Sequence, residues 1–318
     1  MEKNLDVLCL GIFVADALAK PITRMPDWRQ LELIDRVELH TGGCANNTGT
    51  GLARLGLHVG CAGKVGNDGF GDFILKHLAT EGINTDGMRR DDKNGTSFTF
   101  VMIAPNGERA FFHYMGANGA FTYEDVDFSV VQTAGILHIA GSFIMPGLDG
   151  EPTARVLKKA KELGITTCLD TVWNGTIDTY ATLKPSLEHL DYFLPSIDEA
   201  KLMTRMESPQ DIAAFLLDQG VGTVGLKMGA EGSYIRMRDT ELYIPAFKID
   251  VVDTSGAGDA WIGGFLGGIC LGYDLEEAGR LGSAMGALCA SEIGTTAGLK
   301  SLDDTLAFMQ TAEILELD

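Results

Sequence analysis

The segment Val251-Val252-Asp253-Thr254-Ser255-Gly256-Ala257-Gly258-Asp259 carries the sharpest chemical signal in this 318-residue chain. A strand-like end runs into Gly-Ala-Gly, and an apolar stretch of helical character follows at once. Small residues let the backbone pass close to an anion. The first N–H groups of a helix lack intrahelical acceptors, and the macrodipole adds about half a positive charge there. Such a loop suits the negative charge that develops in phosphoryl transfer, where positioning and electrostatics supply most of the catalysis. Asp259, in the first turn of the expected helix, is placed to accept the proton of a hydroxyl held at the same helix end. Alone it reads equally well as a helix-start acid. The Gly-Ala-Gly beside it favours the chemical role.

A loop of this kind needs a sheet edge beneath it. Residues 6–13 form a continuous apolar run, the pattern of a buried strand. Further strands are expected at 58–64, 135–140, 165–170, 192–194 and 223–227. They alternate with helices at 46–55, 70–80, 152–163, 183–190, 197–205 and 209–219. A hairpin of 233–237 with 241–244 then precedes two long helices near 256–272 and 275–293. This alternation predicts an α/β fold with a doubly wound, mostly parallel sheet flanked by helices, whose ligands bind beyond the carboxyl ends of the strands. Asp16, just past the first strand, falls at such an edge. Two β-rich pieces, about 14–40 and 95–115, break the alternation. The second holds Asn106-Gly107 between two β-rich runs, a strong hairpin signal. We expect these pieces to form a small separate β-sheet that acts as a lid on a single domain of residues 1–318. Phe100, Phe112 and His113 are the lid residues that would cover a substrate, or else form the sheet's own apolar face.

The bulk composition narrows the partners. A formal charge of −19 with no Lys/Arg cluster argues against nucleic acid and against an anionic membrane surface. It leaves room for a nucleotide, since anion sites are built locally from backbone N–H groups. The start of the chain does not read as a signal peptide, and the longest apolar stretch is too short and Gly-rich to span a bilayer. The six cysteines are scattered without a C-x-x-C pair, which reads as reduced thiols in a cytoplasmic protein. No metal-ligand spacing of histidines occurs. The forty glycines, clustered in short runs, read as tight turns and close approaches to a ligand. Gly220-x-Gly222-x-x-Gly225 spells a dinucleotide fingerprint, but it follows a helix and leads into a strand, the reverse of what that fingerprint needs.

Asp253-Thr-Ser-Gly-Ala-Gly-Asp259 closely resembles the C-terminal signature of the ribokinase-like (PfkB) carbohydrate kinases. Gly42-Gly43-Cys-Ala-Asn-Asn47, running on to Leu52-Ala-Arg-Leu-Gly56, is similar to the N-terminal signature. Lys64-Val-Gly66-Asn-Asp68-Gly-Phe-Gly71 resembles a further segment of the family. These motifs stand in the family order over nearly the whole chain. The resemblance implies an ATP- and Mg²⁺-dependent phosphotransferase acting on a hydroxymethyl group of a small sugar. Asp259 would be the base, with the N–H groups of Gly256, Ala257 and Gly258 as the anion hole. Asp16 and Asn47, behind Gly42 and Gly43, would hold sugar hydroxyls; loop solvation and helix capping are their plainer roles. Lys227, Gly229 and Gly232 would line the nucleotide's phosphate side, though Lys227 alone reads as well as a solvated strand-end lysine. Glu199 matches the acid of a motif that holds Mg²⁺, often through water, while Ser196 stands where the family has Asn. Asp253 and Ser255 match positions that in some members contribute to a monovalent-cation (K⁺) site, or else perform turn chemistry. Gly294–Gly298 resembles the loop that closes over the purine. The resemblance also implies a homodimer through the lid sheet.

The substrate is left open between an unphosphorylated sugar, which we favour, a sugar acid or sugar phosphate, and a nucleoside. An acidic or phosphorylated substrate would need Arg24, Arg29, Arg89, Arg90 or Arg109. A nucleoside would want stacking from Trp28 or Phe112. A non-catalytic sugar- or nucleotide-binding protein is the reading from a different class, and the intact Asp259 loop counts against it.

Overall fold

The computed structural model describes residues 3–315. The chain opens with β1 (Leu5–Gly11), β2 (Val14–Lys20), β3 (Arg36–Gly42), α1 (Cys44–Arg54), β4 (Val59–Gly66), α2 (Gly69–Thr80), β5 (Asn84–Asp91), β6 (Phe98–Ile103) and β7 (Arg109–Tyr114). Two single turns, α3 (Gly116–Gly119) and α4 (Phe128–Val131), lead into β8 (Ala134–Ser142). Next come α5 (Glu151–Glu162), β9 (Thr166–Thr171), α6 (Thr179–Leu187), β10 (Tyr192–Phe193), α7 (Ile197–Thr204), α8 (Pro209–Asp218) and β11 (Thr223–Lys227). The hairpin β12 (Ser233–Met237) and β13 (Thr240–Ile244) precedes α9 (Ala257–Cys270), α10 (Leu275–Ala290) and α11 (Leu302–Thr311).

Nine strands form one sheet in the order β13-β12-β11-β10-β9-β8-β1-β4-β5, parallel except for the terminal hairpin. β1 lies central and is buried on both faces, as its unbroken apolar run requires. β2, β3, β6 and β7 form a separate four-stranded sheet in the order β3-β2-β6-β7. The fold is therefore the α/β arrangement expected, large sheet and small sheet alike. Gly220 and Gly222 lie between α8 and β11, the wrong context for a dinucleotide loop.

The glycine runs have a second use besides turns. α9 and α10 cross so closely that a Cβ on Gly264 would stand 2.6 Å from the Leu281 carbonyl oxygen, and one on Gly282 would stand 2.8 Å from that of Trp261. Several glycines read as ligand approaches are thus helix-crossing residues. Trp261 and Phe265, stacked at 5.2 Å on one face of α9, are buried among strand residues, and the Trp261 ring lies 3.4 Å from where a Cβ on Gly225 of β11 would stand, so this face seats α9 on the sheet. Emptying the Trp261 site would cost about 3–5 kcal/mol and release the helix that carries Asp259.

Candidate active site

The start of α9 lies beside the carboxyl ends of β9 and β11. Gly256 takes a left-handed conformation (φ 78°), and a Cβ there would stand 2.5 Å from the Thr295 carbonyl oxygen. No side chain caps the helix. The Ala257 N–H is shared with the Thr254 carbonyl at 3.2 Å, while the Gly256 and Gly258 N–H groups meet no protein acceptor among the described residues. The Lys227 ammonium, from the end of β11, sits 3.5 Å from where a Gly258 Cβ would be. Lys227 is thus beside the loop rather than out in solvent. Gly229 (φ 62°) and Gly232 (φ 82°) shape the turn after it, and Gly232 packs flat against the Ile244 carbonyl.

Asp259 is held from the opposite side of the chain. Asn47 Nδ2 donates to Asp259 Oδ2 at 2.8 Å, and Thr48 Oγ1 donates to the Asp259 carbonyl at 3.2 Å. The Asn47 oxygen accepts from Asn46 Nδ2 at 3.3 Å, so the amide's orientation is fixed. α1 can reach α9 because its buried face is small: Asn46, Asn47, Thr48, Gly49, Thr50 and Gly51 are all buried. Burial raises the Asp259 carboxyl above its ordinary value, and the Asn47 hydrogen bond and Lys227 charge work against that rise. Asp170, at the end of β9, is also buried and accepts from the Gly141 N–H at 2.8 Å. Burial pushes its carboxyl up; Lys227 opposes the rise and the Asp259 charge adds to it. Cys44, Asp170 and Asp259 bring a ligand atom each within 4.8 Å of one another. The Cys44 thiol is held neutral, raised well up by burial and then by Asp259.

Asp16 lies within β2 on the small sheet rather than in a loop after the first strand. It pairs in register with His40 on one side and Thr99 on the other, and Thr99 pairs with His113. These four share one sheet face. A Cβ on Gly42 would stand 2.0 Å from an Asp16 carboxylate oxygen, so any side chain there would displace that carboxylate. Burial raises the Asp16 carboxyl, against the Thr99 hydrogen bond and the His40 charge. Phe100 and Phe112 pair with Ala17 in the neighbouring row, so they face away from Asp16. Of the expected covering residues only His113 shares its face.

The sequence model of the pfkB family carbohydrate kinases matches residues 4–302. The chain belongs to that family. It is similar to the 2-dehydro-3-deoxygluconokinase of Bacillus subtilis, 32% identical over 84% of this chain and 86% of that one. A 5-dehydro-2-deoxygluconokinase of Lacticaseibacillus casei is 25% identical over 100% and 99% of the two chains. Among solved structures, the Arabidopsis thaliana ribokinase complexed with ribose and ATP superposes with a TM-score of 0.84, at 25% identity over 98% and 99%. This carbohydrate kinase has no described helix long and apolar enough to cross a membrane.

Three further residues of the family motifs have partners that the sequence did not announce. Ser196 caps α7 and forms a reciprocal capping box with Glu199: its N–H donates to Glu199 Oε2 at 2.9 Å, and its Oγ accepts the Glu199 N–H. Thr171 Oγ1 donates to the same Oε2 at 3.1 Å. Serine at the Asn position thus orients Glu199 through the helix cap. Asp253 and Ser255 are both engaged by an arginine of the chain itself. Arg109 Nη1, from the start of β7, donates to Asp253 Oδ1 at 2.8 Å and to Ser255 Oγ at 2.9 Å. The second Asp253 oxygen accepts from the Gly294 N–H at 2.9 Å. Burial works against the charge of Asp253, but Arg109 and these N–H groups outweigh it and hold the carboxyl below its ordinary value.

Sequence reasoning passed over Asp170 and Cys44. A carboxylate closing an apolar strand of a doubly wound sheet was a usable sign of Asp170. Nothing in the sequence set Cys44 apart from the other thiols. Arg24 and Arg90 pair with Glu32 and Asp72 at the surface, and Arg89 pairs with Asp127. With Arg109 on Asp253, four of the five arginines are engaged with carboxylates of the chain itself.

Proposed function

We propose that the chain transfers the γ-phosphoryl group of ATP to a hydroxymethyl group of a small, uncharged sugar, with Asp259 as the base. The observation that carries this reading is the pairing of Asp259 with a helix start whose Gly256 and Gly258 N–H groups meet no acceptor among the described residues and whose flank holds Lys227. Asp259 takes the proton from the sugar hydroxyl as its oxygen bonds to the γ-phosphorus. The bond from that phosphorus to the bridging oxygen breaks, and ADP leaves. The free N–H groups of Gly256 and Gly258 and the Lys227 charge stabilise the transferred group. Ala257 contributes less, since its N–H already has an acceptor. Mg²⁺, when bound, neutralises phosphate charge. Glu199 fits it through water, because Oε2 is fully used and Oε1 meets no protein donor among the described residues.

Asp16 binds sugar hydroxyls from the small sheet, and Asn47 acts chiefly by orienting Asp259. The small sheet, from about 14–40 and 95–115, works as the lid that keeps water from the γ-phosphate. Its exposed Val37, Leu39, Phe111, Phe112 and Tyr114 support a homodimer through this sheet. An uncharged sugar is favoured over an acid because the arginines that would read a carboxylate are paired elsewhere. The relatives' names make ketodeoxy sugar acids the first competitors. Phe112 faces away from Asp16 and so gives a nucleoside base no stacking surface there.

The test is ADP release with Mg·ATP over a panel of sugars, sugar acids and nucleosides, for wild type and Asp259→Asn. One neutral sugar should turn over, and the variant should lose about 10²–10⁴ in kcat with ATP binding retained. Turnover that survives in Asp259→Asn refutes the base assignment, and preference for an acid refutes the substrate class.

A further inference from the structure

Arg109 is the structural feature that the catalytic reading leaves unused. It begins β7 on the small sheet, 144 residues before Asp253 in the chain. Its side chain is 22% exposed and that of Asp253 only 3%. One guanidinium nitrogen bonds both Asp253 and Ser255, the residue before Gly256. The Asp253 oxygens also receive the N–H groups of Ser255 and Gly294, so a single carboxylate ties together the glycine loop and the loop at 294–298. A second tether runs beside it: Thr295 Oγ1 donates to the Thr41 carbonyl at the end of β3. Thr295 is the residue against which Gly256 packs. The small sheet therefore grips both the glycine loop and the loop at 294–298 that packs against it.

A nearly buried carboxylate needs a compensating positive charge. An external monovalent cation and an internal guanidinium are alternative ways to supply it. Here the guanidinium has the place, on the one Asp253 oxygen and the Ser255 hydroxyl that it bridges. We propose that Arg109 is a positioning residue that substitutes for a monovalent cation, so that the lid itself, rather than K⁺, orders the anion-hole loop. Resting on the kinase reading for its use, the proposal ties loop order to lid closure: opening the lid withdraws the charge that Asp253 requires.

The test compares wild type with Arg109→Met, which keeps the stem and removes the charge, and with Arg109→Lys. Thermal unfolding of the unliganded chain is followed in KCl and in tetramethylammonium chloride at equal ionic strength, and hydrogen exchange is followed at the hydrogen-bonded amides within 253–258 (Asp253, Ser255 and Ala257) and at Gly294. Wild type should melt alike in both salts. Arg109→Met should exchange at these amides about tenfold faster or more. It should also gain a saturable stabilisation by K⁺ or by guanidinium that restores protection, and Arg109→Lys should lie between the two. In turnover assays, Arg109→Met should lose kcat with little change in sugar KM and recover it with the same ions. A saturable K⁺ shift in wild type overturns the proposal, and so does unchanged exchange at 253–258 in Arg109→Met. Both of those readouts are independent of turnover, so a failed sugar panel would count against the kinase reading alone.

Discussion

Gly256→Ala is the most incisive single change at this site. The residue sits at φ 78°, where a side chain costs about 1–2 kcal/mol. Its new Cβ would stand 2.5 Å from the Thr295 carbonyl oxygen and 2.9 Å from the Thr295 Cα and Cβ, in backbone that cannot swing aside. Relief requires the loop to move by roughly 1 Å. A displacement of that size at reacting groups costs about 10²-fold in rate, and loss of one anion-hole donor costs about 10²–10³. We therefore expect kcat to fall about 10²–10³-fold, with sugar KM held within about threefold. Stability should drop by only about 1–3 kcal/mol. Steady-state ADP release gives the first two quantities, and urea unfolding followed by tryptophan fluorescence gives the third. A folded variant with near-wild-type kcat would show that the Gly256 turn does not place the donors.

Other changes separate the remaining roles. Lys227→Met removes a charge that holds the Asp259 carboxyl down, so the acid limb of the pH–kcat/KM profile, expected above the range of an ordinary Asp because burial raises this carboxyl, should move to still higher pH; a limb that stays put would mean Asp259 does not control it. Asp16→Ala should raise sugar KM at least about tenfold while ATP KM stays nearly constant, the sign of a lost polar contact to substrate. Equal effects on both would place Asp16 outside the sugar site.

The parallel core was legible because buried strands and amphipathic helices write opposite periods into the sequence. What escaped notice has local causes. β5 reads Asn-Thr-Asp-Gly-Met-Arg-Arg-Asp, with almost no strand propensity; it is a strand because the edge of β4 offers it a partner. α11 was missed as a short helix near the end of the chain, although Ser301 followed by Asp304 caps it. At the site, the signature around Asp259 marked that carboxylate and its loop, and the structure brings Asn47, Lys227 and Glu199 around them. The Asn47–Asp259 bond, the Arg109–Asp253 pair and the burial of Asp170 join residues distant in sequence, and no local pattern encodes such pairings.

The bond between Asn47 and Asp259 spans 212 positions of the chain. During synthesis Asn47 leaves the ribosome long before Asp259 does, since the chain emerges from its N-terminus onward. On the roles proposed above, a nascent chain would carry its sugar contacts before any means of activating a hydroxyl. An interrupted product ending short of residue 259 would lack the proposed base, and a fragment beginning after residue 47 would carry that base without its aligning amide. The proposed site is complete only once α9 has docked against α1.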